Sequence, residues 1–124
     1  MPARRGPYIC GIDAALDVVS GKWKGLALWE LHAHGTRRFA ELRRALPGVS
    51  EKMLTQHLRQ MEEDGLIRRK VYAEVPPKVE YSLTEAGAAL NDALRPLGEW
   101  GRERLRQNNL AVAGPPPSKD PTTA

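Results

Sequence analysis

A proline-glycine pair between two amphipathic segments is the feature that most limits how this chain can fold. Apolar residues recur at the spacing of one helix face over residues 39–46, just before Pro47-Gly48. Proline cannot continue a helical hydrogen-bond ladder and glycine tolerates a positive φ, so the pair predicts a tight turn. Ser50 is a favourable N-cap for a following helix over residues 51–64. Two helices joined by such a turn are typical of a helix-turn-helix.

A proline-containing hairpin is predicted directly after these two helices. Residues 67–72 and 79–83 are rich in Val, Ile and Tyr, which favours two β-strands. Between them, residues 73–78 contain Pro76 and Pro77, which cannot donate ladder hydrogen bonds and which stiffen the loop. A hairpin that follows a helix-turn-helix in this way predicts a wing.

Three further helices are predicted, which gives a mainly α fold with a small β-hairpin, a winged helix-turn-helix. The first covers residues 12–19. The second, residues 22–34, is apolar around most of its circumference, which predicts the central core helix. Thr84 is expected to cap a long C-terminal helix that Pro96 should kink or split.

At 124 residues the chain has room for one domain. Residues 1–9 are predicted to be a flexible arm, residues 10–108 that domain, and residues 109–124 a disordered, proline-rich tail. There is no apolar run of the ~18 residues that span a bilayer and no apolar segment that would make a secretory signal. The single cysteine, Cys10, excludes an intrachain disulfide and suits a reducing compartment. We therefore expect a cytoplasmic protein without a membrane partner.

Basic charge is concentrated in the predicted helix-turn-helix. The chain carries 19 basic and 15 acidic residues, a formal net charge of +4. Residues 36–60 hold six cations against two carboxylates, and the next three charges, at residues 62–64, are all acidic. The six cations are Arg37, Arg38, Arg43, Arg44, Lys52 and Arg59. The local excess of cations is stronger evidence for a polyanionic partner than the net charge of the whole chain.

The predicted helix over residues 51–64 separates an apolar stripe from a polar arc. At about 100° per residue, Leu54, Leu58 and Met61 fall on one side. The opposite side carries Lys52, Thr55, Gln56 and Arg59. Arginine and lysine can hydrogen-bond guanine, glutamine suits adenine, and the methyl group of threonine can contact thymine. The arc predicts DNA readout, although the charged face of an isolated helix is usually only solvated.

Polar residues around this helix are candidates for contacts to the DNA backbone. Arg37 and Arg38 precede the first helix of the motif and Arg43 lies on its exposed side, where they can bind phosphates and fix the register. Ser50 at the start of the second helix and Lys78 at the wing tip complete the predicted DNA-binding set. For each of them the alternative is an ordinary surface residue.

Residues 10–100 resemble the HxlR family of winged helix-turn-helix regulators. The matching strings are LDVVSGKWK (16–24), RFAELRR (38–44), SEKMLTQHLR (50–59), EEDGLI (62–67) and EVPPKVEYSLTEAG (74–87). The resemblance implies a dimeric DNA-binding regulator, repressor or activator, whose second motif helix enters the major groove of a pseudo-palindromic operator. It also implies that the N-terminal and long C-terminal helices pack between subunits. The residues concerned are Ile12, Leu16, Leu90, Leu94, Leu97 and Trp100.

Cys10 is a candidate sensor thiol, because it lies just before a helix N-terminus whose dipole favours a thiolate. Some HxlR members sense electrophiles or oxidants through a cysteine here, so the resemblance implies a small reactive effector. Gly11 stands where the family usually has proline. With one cysteine per chain, a reversible oxidised form has to be an intersubunit disulfide or a mixed cap such as a glutathione adduct. The alternative is an inert cysteine.

Catalytic and metal-binding patterns do not stand out in the sequence. His32 and His34 point about 200° apart on a helix and His57 is isolated, so no metal and no cofactor are expected. A thiol enzyme would need Cys10 to be activated across a dimer, and we expect the chain not to be an enzyme. A protein-interaction module on a winged-helix fold is the remaining alternative, and the polar arc argues against it.

Overall fold

The helices and the hairpin predicted from the sequence are all present in the computed structural model, which describes residues 6–110. The predicted winged helix-turn-helix fold is confirmed. Parts of the predicted arm and tail, residues 1–5 and 111–124, lie outside the described residues. The described elements are, in order, α1 (Gly11–Val18), α2 (Trp23–His34), α3 (Phe39–Ala45), α4 (Glu51–Glu63), β1 (Ile67–Tyr72), β2 (Lys78–Leu83) and α5 (Glu85–Gln107).

The turn between α3 and α4 forms at Pro47-Gly48, as predicted. Gly48 has a φ of 99°, a conformation that residues with a Cβ rarely adopt. The Oγ of Ser50 then accepts a hydrogen bond from the backbone N–H of Met53 at 3.0 Å, which caps α4. Val49 and Leu54, on either side of the cap, are both buried in the core. The entry angle of α4 is therefore fixed by a polar cap and by apolar burial together.

The hairpin is an antiparallel pair whose register places Ile67 opposite Leu83 and Tyr72 opposite Lys78. β2 therefore begins one residue earlier than predicted, and the tip is residues 73–77. Arg37 adds a β-bridge to Tyr81 that the sequence did not predict. Its N–H donates to the carbonyl of Tyr81 at 2.9 Å, and the N–H of Tyr81 donates back at 2.8 Å. This bridge ties the residue before α3 to the wing.

The core lies where α2, α3 and α4 meet the hairpin, and α2 contributes one face rather than most of its circumference. Leu26 of α2 is 42% exposed, whereas the helix buries both Lys24 and Glu30. The largest apolar side chains that are fully buried in the core are Leu28, Leu42, Leu54, Leu58 and Met61. Three of these five belong to α4, which therefore has one side fixed in the core.

The C-terminal helix α5 begins at the predicted cap and continues through Pro96 as one element. The Oγ1 of Thr84 accepts from the N–H of Gly87 at 3.1 Å and donates to the carbonyl of Gly65 at 2.6 Å. Pro96 does not split the helix; it is exposed and removes only one ladder hydrogen bond. The start of α5 is thus anchored to the loop that leaves α4.

Buried polar atoms lie between α2 and the C-terminal half of α4. Lys24 Nζ, His57 Nδ1 and Asp64 Oδ2 are buried without a hydrogen-bond partner among the described residues. Burial lowers the pKa of Lys24 from its usual 10.5, although the carboxylates of Asp64 and Asp17 act in the opposite direction. Burial also lowers the pKa of His57, and the charge of Lys24 adds to this effect. The core therefore contains an ammonium group that must be desolvated.

Replacing Lys24 with methionine is expected to stabilise the fold by about 1 kcal/mol, because the lowered pKa of Lys24 means that desolvation of the ammonium outweighs its attraction to Asp64 and Asp17. The folded-state pKa of Lys24 lies below 10.5, so the unfolded chain binds more protons between these two values. The stability of the wild type should therefore rise with pH across that window, and the variant should lose the rise. Urea unfolding at a series of alkaline pH values measures both effects. Lys52→Met, at an exposed position of α4, is the control, and a K24M protein less stable than wild type throughout would contradict the prediction.

Candidate nucleic-acid interface

The exposed side of α4 carries the four polar residues that the sequence placed together. Leu54, Leu58 and Met61 are 0%, 2% and 0% exposed, so the opposite side of the helix faces solvent. The polar arc of α4, defined as Lys52, Thr55, Gln56 and Arg59, is exposed at all four positions. The amphipathic separation predicted for this helix is therefore present in the structure.

The polar arc of α4 lines a shallow, open depression of about 770 Å³, together with Glu51. Lysine, glutamine and arginine present hydrogen-bond donors there, and the glutamine also presents an acceptor. An open surface with several donors on one rigid helix suits an extended, polar, anionic partner better than an enclosed small molecule.

Arg38, Arg43 and Ser50 lie at successive positions along the helix-turn-helix, from the start of α3 to the start of α4. Arg38 is exposed at the N-cap of α3, where its backbone N–H donates to Glu41 Oε1 at 2.9 Å. This hydrogen bond is the largest of the causes that lower the pKa of the Glu41 carboxyl. Arg43 lies 3.4 Å from Glu51 in an exposed ion pair between α3 and α4, and the hydroxyl of Ser50 caps α4. Arg38 and Arg43 therefore both remain accessible to a large partner.

Arg37 differs from the predicted phosphate ligand, because its guanidinium faces carboxylates of the same chain. Its Nη1 lies 3.0 Å from Glu41 Oε2, and its Nε lies 3.9 Å from Glu30 Oε2. The side chain is half-buried beside the bridge to Tyr81. A phosphate would have to compete with these two carboxylates, so Arg37 is less available to DNA than Arg38 and Arg43, which are exposed.

Lys78 also differs from its predicted place, since it begins β2 instead of lying at the wing tip. Its Nζ is 3.4 Å from Glu80 Oε2 and 4.8 Å from the ring centroid of Tyr72. The hydroxyl of Tyr72 donates to Glu80 at 2.8 Å, and this bond, with the nearby Lys78, lowers the pKa of the Glu80 carboxyl. Lys78 therefore belongs to a cluster that stiffens the hairpin, and residues 73–77 of the tip are exposed, with Val75 fully so.

Cations on the first wing strand are the group that the sequence analysis missed. Arg68, Arg69 and Lys70 are all exposed. The charge run was visible in the sequence, but strand propensity alone does not show which side of the sheet each cation occupies. A recess of about 280 Å³ lies between α4 and the hairpin, and Arg69 is the member of the run that lines it. The other residues that line the recess are Thr55, Leu58, Arg59, Glu62 and Tyr81.

The apolar residues that the resemblance placed at a subunit interface form two groups. Leu90 and Leu94 are half-buried and pack against the core of their own chain. Ile12, Leu16, Leu97 and Trp100 are 69%, 56%, 59% and 63% exposed. Ala86, Ala89 and Ala93 are also exposed and continue the side of α5 that carries Leu97 and Trp100. An apolar surface is thus open on α1 and α5.

Cys10 is exposed and occupies the N-cap position of α1, where its side chain makes no capping hydrogen bond. The preceding residues lie along α1: the N–H of Ile9 donates to Asp13 at 2.9 Å, and the hydroxyl of Tyr8 donates to Asp17 at 3.1 Å. Ile9 is 92% exposed and Ile12 is 69% exposed, so Cys10 lies between two exposed apolar residues along the chain.

The three histidines do not form a metal site. His34 lies 3.5 Å from Glu30 on α2, whereas His57 is half-buried on α4. Over residues 6–110 we find no cluster of three His, Cys, Asp or Glu side chains that could hold a metal ion. No helix in that range is long and apolar enough to cross a bilayer.

The sequence of this chain is similar to those of known helix-turn-helix proteins. Residues 18–109 match a protein-family model described as HxlR-like helix-turn-helix. The HTH-type transcriptional regulator YkvN of Bacillus subtilis (strain 168), itself uncharacterized, is 48% identical over 94 residues, which cover 76% of this chain and 79% of YkvN.

Two solved structures extend the comparison to the fold. The redox regulator HypR in its oxidized form superposes with a TM-score of 0.68 at 46% identity, covering 76% of this chain and 96% of HypR. The reduced form of the transcriptional regulator YodB from B. subtilis superposes with a TM-score of 0.67 at 32% identity, covering 77% of this chain and 93% of YodB.

Proposed function

Because this chain belongs to the HxlR-like helix-turn-helix family and is a transcriptional regulator rather than an enzyme, we propose that it acts as a homodimer that binds duplex DNA sequence-specifically through α4. The single observation that carries the proposal is the polar arc of α4. Its four residues are exposed together on a helix whose other side is buried in the core, so the helix can enter a major groove without unfolding.

The contacts divide into two classes by chemistry. Lys52, Thr55 and Gln56 are placed to read base edges, because they lie in the first half of α4, the part of a recognition helix that usually contacts bases. Arg38, at the N-cap of α3, and Arg43, which lies 3.4 Å from Glu51 in the first turn of α4, supply phosphate contacts, which fix the register without reading sequence.

Homodimerisation is supported by the exposed apolar surface of α1 and α5. A monomer would leave Ile12, Leu97 and Trp100 in water, and a two-fold copy of the same surface would cover them. A two-fold dimer predicts two half-sites about 34 Å apart, one turn of duplex DNA.

Selection of tight-binding duplexes from a random library, followed by footprinting, tests the proposal. We expect a pseudo-palindromic sequence and binding that weakens steeply with salt. Binding to all duplexes alike, with no enriched sequence, would reject specific readout. Loss of biological function on disrupting the α5 surface, with no loss on neutralising the polar arc, would favour the protein-interaction alternative.

Gln56→Ala should weaken binding to the selected sequence by about 1–3 kcal/mol and relax the preference at one base pair in each half-site, because a bidentate amide contact is lost. Titration against the selected duplex and its single-base variants measures both effects. Met53→Ala, exposed on α4 but outside the polar arc, is the control and should leave the base preference unchanged. A uniform loss at every sequence would show that Gln56 does not read a base.

We also propose that Cys10 makes the regulator responsive to oxidants. Support comes from its exposure at the N-cap of α1, and from the redox regulator HypR among the similar structures. Diamide should convert two Cys10 thiols of a dimer into a disulfide, being itself reduced, and should change operator affinity reversibly with dithiothreitol. The control is Cys10→Ser, which should keep the affinity of the reduced protein. An equal response to diamide in both proteins would exclude Cys10 as the sensor.

A further inference from the structure

We propose that the recess between α4 and the hairpin binds a phosphate of the DNA backbone, held by Arg59 from the helix and by Arg69 from β1. The inference rests on the proposed function, because it concerns the same bound duplex. It adds Arg69, a residue of the wing strand, to the DNA interface.

The recess is formed by two elements that the fold holds together. Arg59 belongs to α4, whereas Arg69 pairs with Tyr81 across the hairpin. Tyr81 is 9% exposed, is bridged to Arg37 on its other side and also lines the recess. Arg69 therefore projects from a strand whose partner is fixed in the core, so its position relative to α4 is set by the fold.

The charge in the recess suits an anion. Arg59 and Arg69 both line it, against the single carboxylate of Glu62. Unlike Arg37, neither Arg59 nor Arg69 forms an ion pair within residues 6–110. Guanidinium groups present planar sets of N–H donors that match phosphate oxygens, and two from different elements can hold one phosphate from both sides.

Continuity with the depression on α4 points to a phosphate of duplex DNA. Thr55 and Arg59 line both the depression and the recess. A duplex whose major groove receives the polar arc therefore has a backbone strand next to the recess. A phosphate contact there would add affinity and fix the position of the wing, but it would carry no sequence information.

Arg68 provides a matched control, because it is the neighbouring residue and carries the same charge. Side chains alternate along a strand, so Arg68 lies on the opposite side of the hairpin from Arg69. Both are exposed, and Arg68 is absent from the lining of the recess. A general effect of net charge would weaken DNA binding equally in the two variants. A phosphate site in the recess predicts weaker binding only when Arg69 is replaced.

The experiment compares wild type, Arg69→Ala and Arg68→Ala on the selected duplex and on a random duplex at a series of salt concentrations. For R69A we expect about tenfold weaker binding to both duplexes and a log K against log salt slope smaller by about 0.9, the signature of one lost phosphate contact. R68A should retain the wild-type slope. Ethylation of one phosphate in each half-site should interfere with wild type and no longer with R69A.

Equal slopes for R69A and R68A, or a loss confined to particular base pairs, would overturn the inference while leaving the proposed function intact. Failure of the wild type to bind any duplex would overturn both. Thermal unfolding checks that R69A is folded. If it is not, Arg69→Gln, which keeps much of the side-chain stem, takes its place in the same comparison.

Discussion

Replacing Gly87 with alanine is expected to destabilise the protein by about 3 kcal/mol, because the new methyl group has no room beside a fixed backbone atom. A Cβ at this position would lie 2.0 Å from the carbonyl oxygen of Leu66 and 3.2 Å from Leu83 Cδ2. That oxygen cannot move freely, since it accepts a hydrogen bond from the N–H of Thr84 at 3.1 Å. Alanine therefore has to displace the start of α5 from the core. Urea unfolding of the purified variant measures the loss.

Gly25→Ala is the matched control for this substitution. Gly25 also lies inside a helix, but a Cβ there would meet only Leu94 Cδ1, at 3.9 Å. We expect G25A to be about 0.5–1 kcal/mol more stable than wild type, because alanine has the higher helix propensity. Equal free energies of unfolding for the two variants would show that the close approach at Gly87 does not control stability.

The double substitution Leu97→Glu and Trp100→Glu is expected to convert the proposed dimer into a monomer and to weaken binding to the selected duplex by about 10²–10⁴-fold. Both side chains are mostly exposed within one chain, at 59% and 63%, so the monomer should keep its fold. Two carboxylates on each copy would then face one another across the two-fold interface. A monomer can occupy only one half-site at a time, which removes the gain from simultaneous binding. Sedimentation equilibrium and titration of the selected duplex measure the two effects.

Val75→Glu is the control for oligomeric state, because Val75 is a fully exposed apolar residue in the hairpin loop, outside α1 and α5. It should sediment as the wild type does. If the Leu97, Trp100 double variant also remains dimeric while its circular dichroism spectrum is unchanged, the interface lies elsewhere on the molecule.

Prediction from the sequence was most successful for features set by a few neighbouring residues. The turn at Pro47-Gly48 and the caps at Ser50 and Thr84 are all present. Each depends on the backbone preference or the side-chain reach of one or two residues. Pro96 shows the limit of this reasoning, because α5 continues through it as one helix.

Prediction was less successful where a side chain has partners that are distant in sequence. Lys78 contacts the ring of Tyr72 across the hairpin, and the buried Lys24 lies near Asp64 of another segment. Lys24 belongs to a helix whose apolar composition gave no sign of a buried charge. A composition pattern reports which residues are present, but it does not report which of them the fold will bring into contact.

By itself the sequence determined that α4 has one apolar and one polar side, because a helix repeats every 3.6 residues whatever surrounds it. Only the tertiary structure decided which cations face outward: Arg37 is half-buried beside its backbone bridge to Tyr81, whereas Arg69 lines the recess together with Arg59. The physical reason is that strand pairing and strand facing depend on register between segments that are far apart in the chain. Helical periodicity acts within a single segment and holds no information about that register.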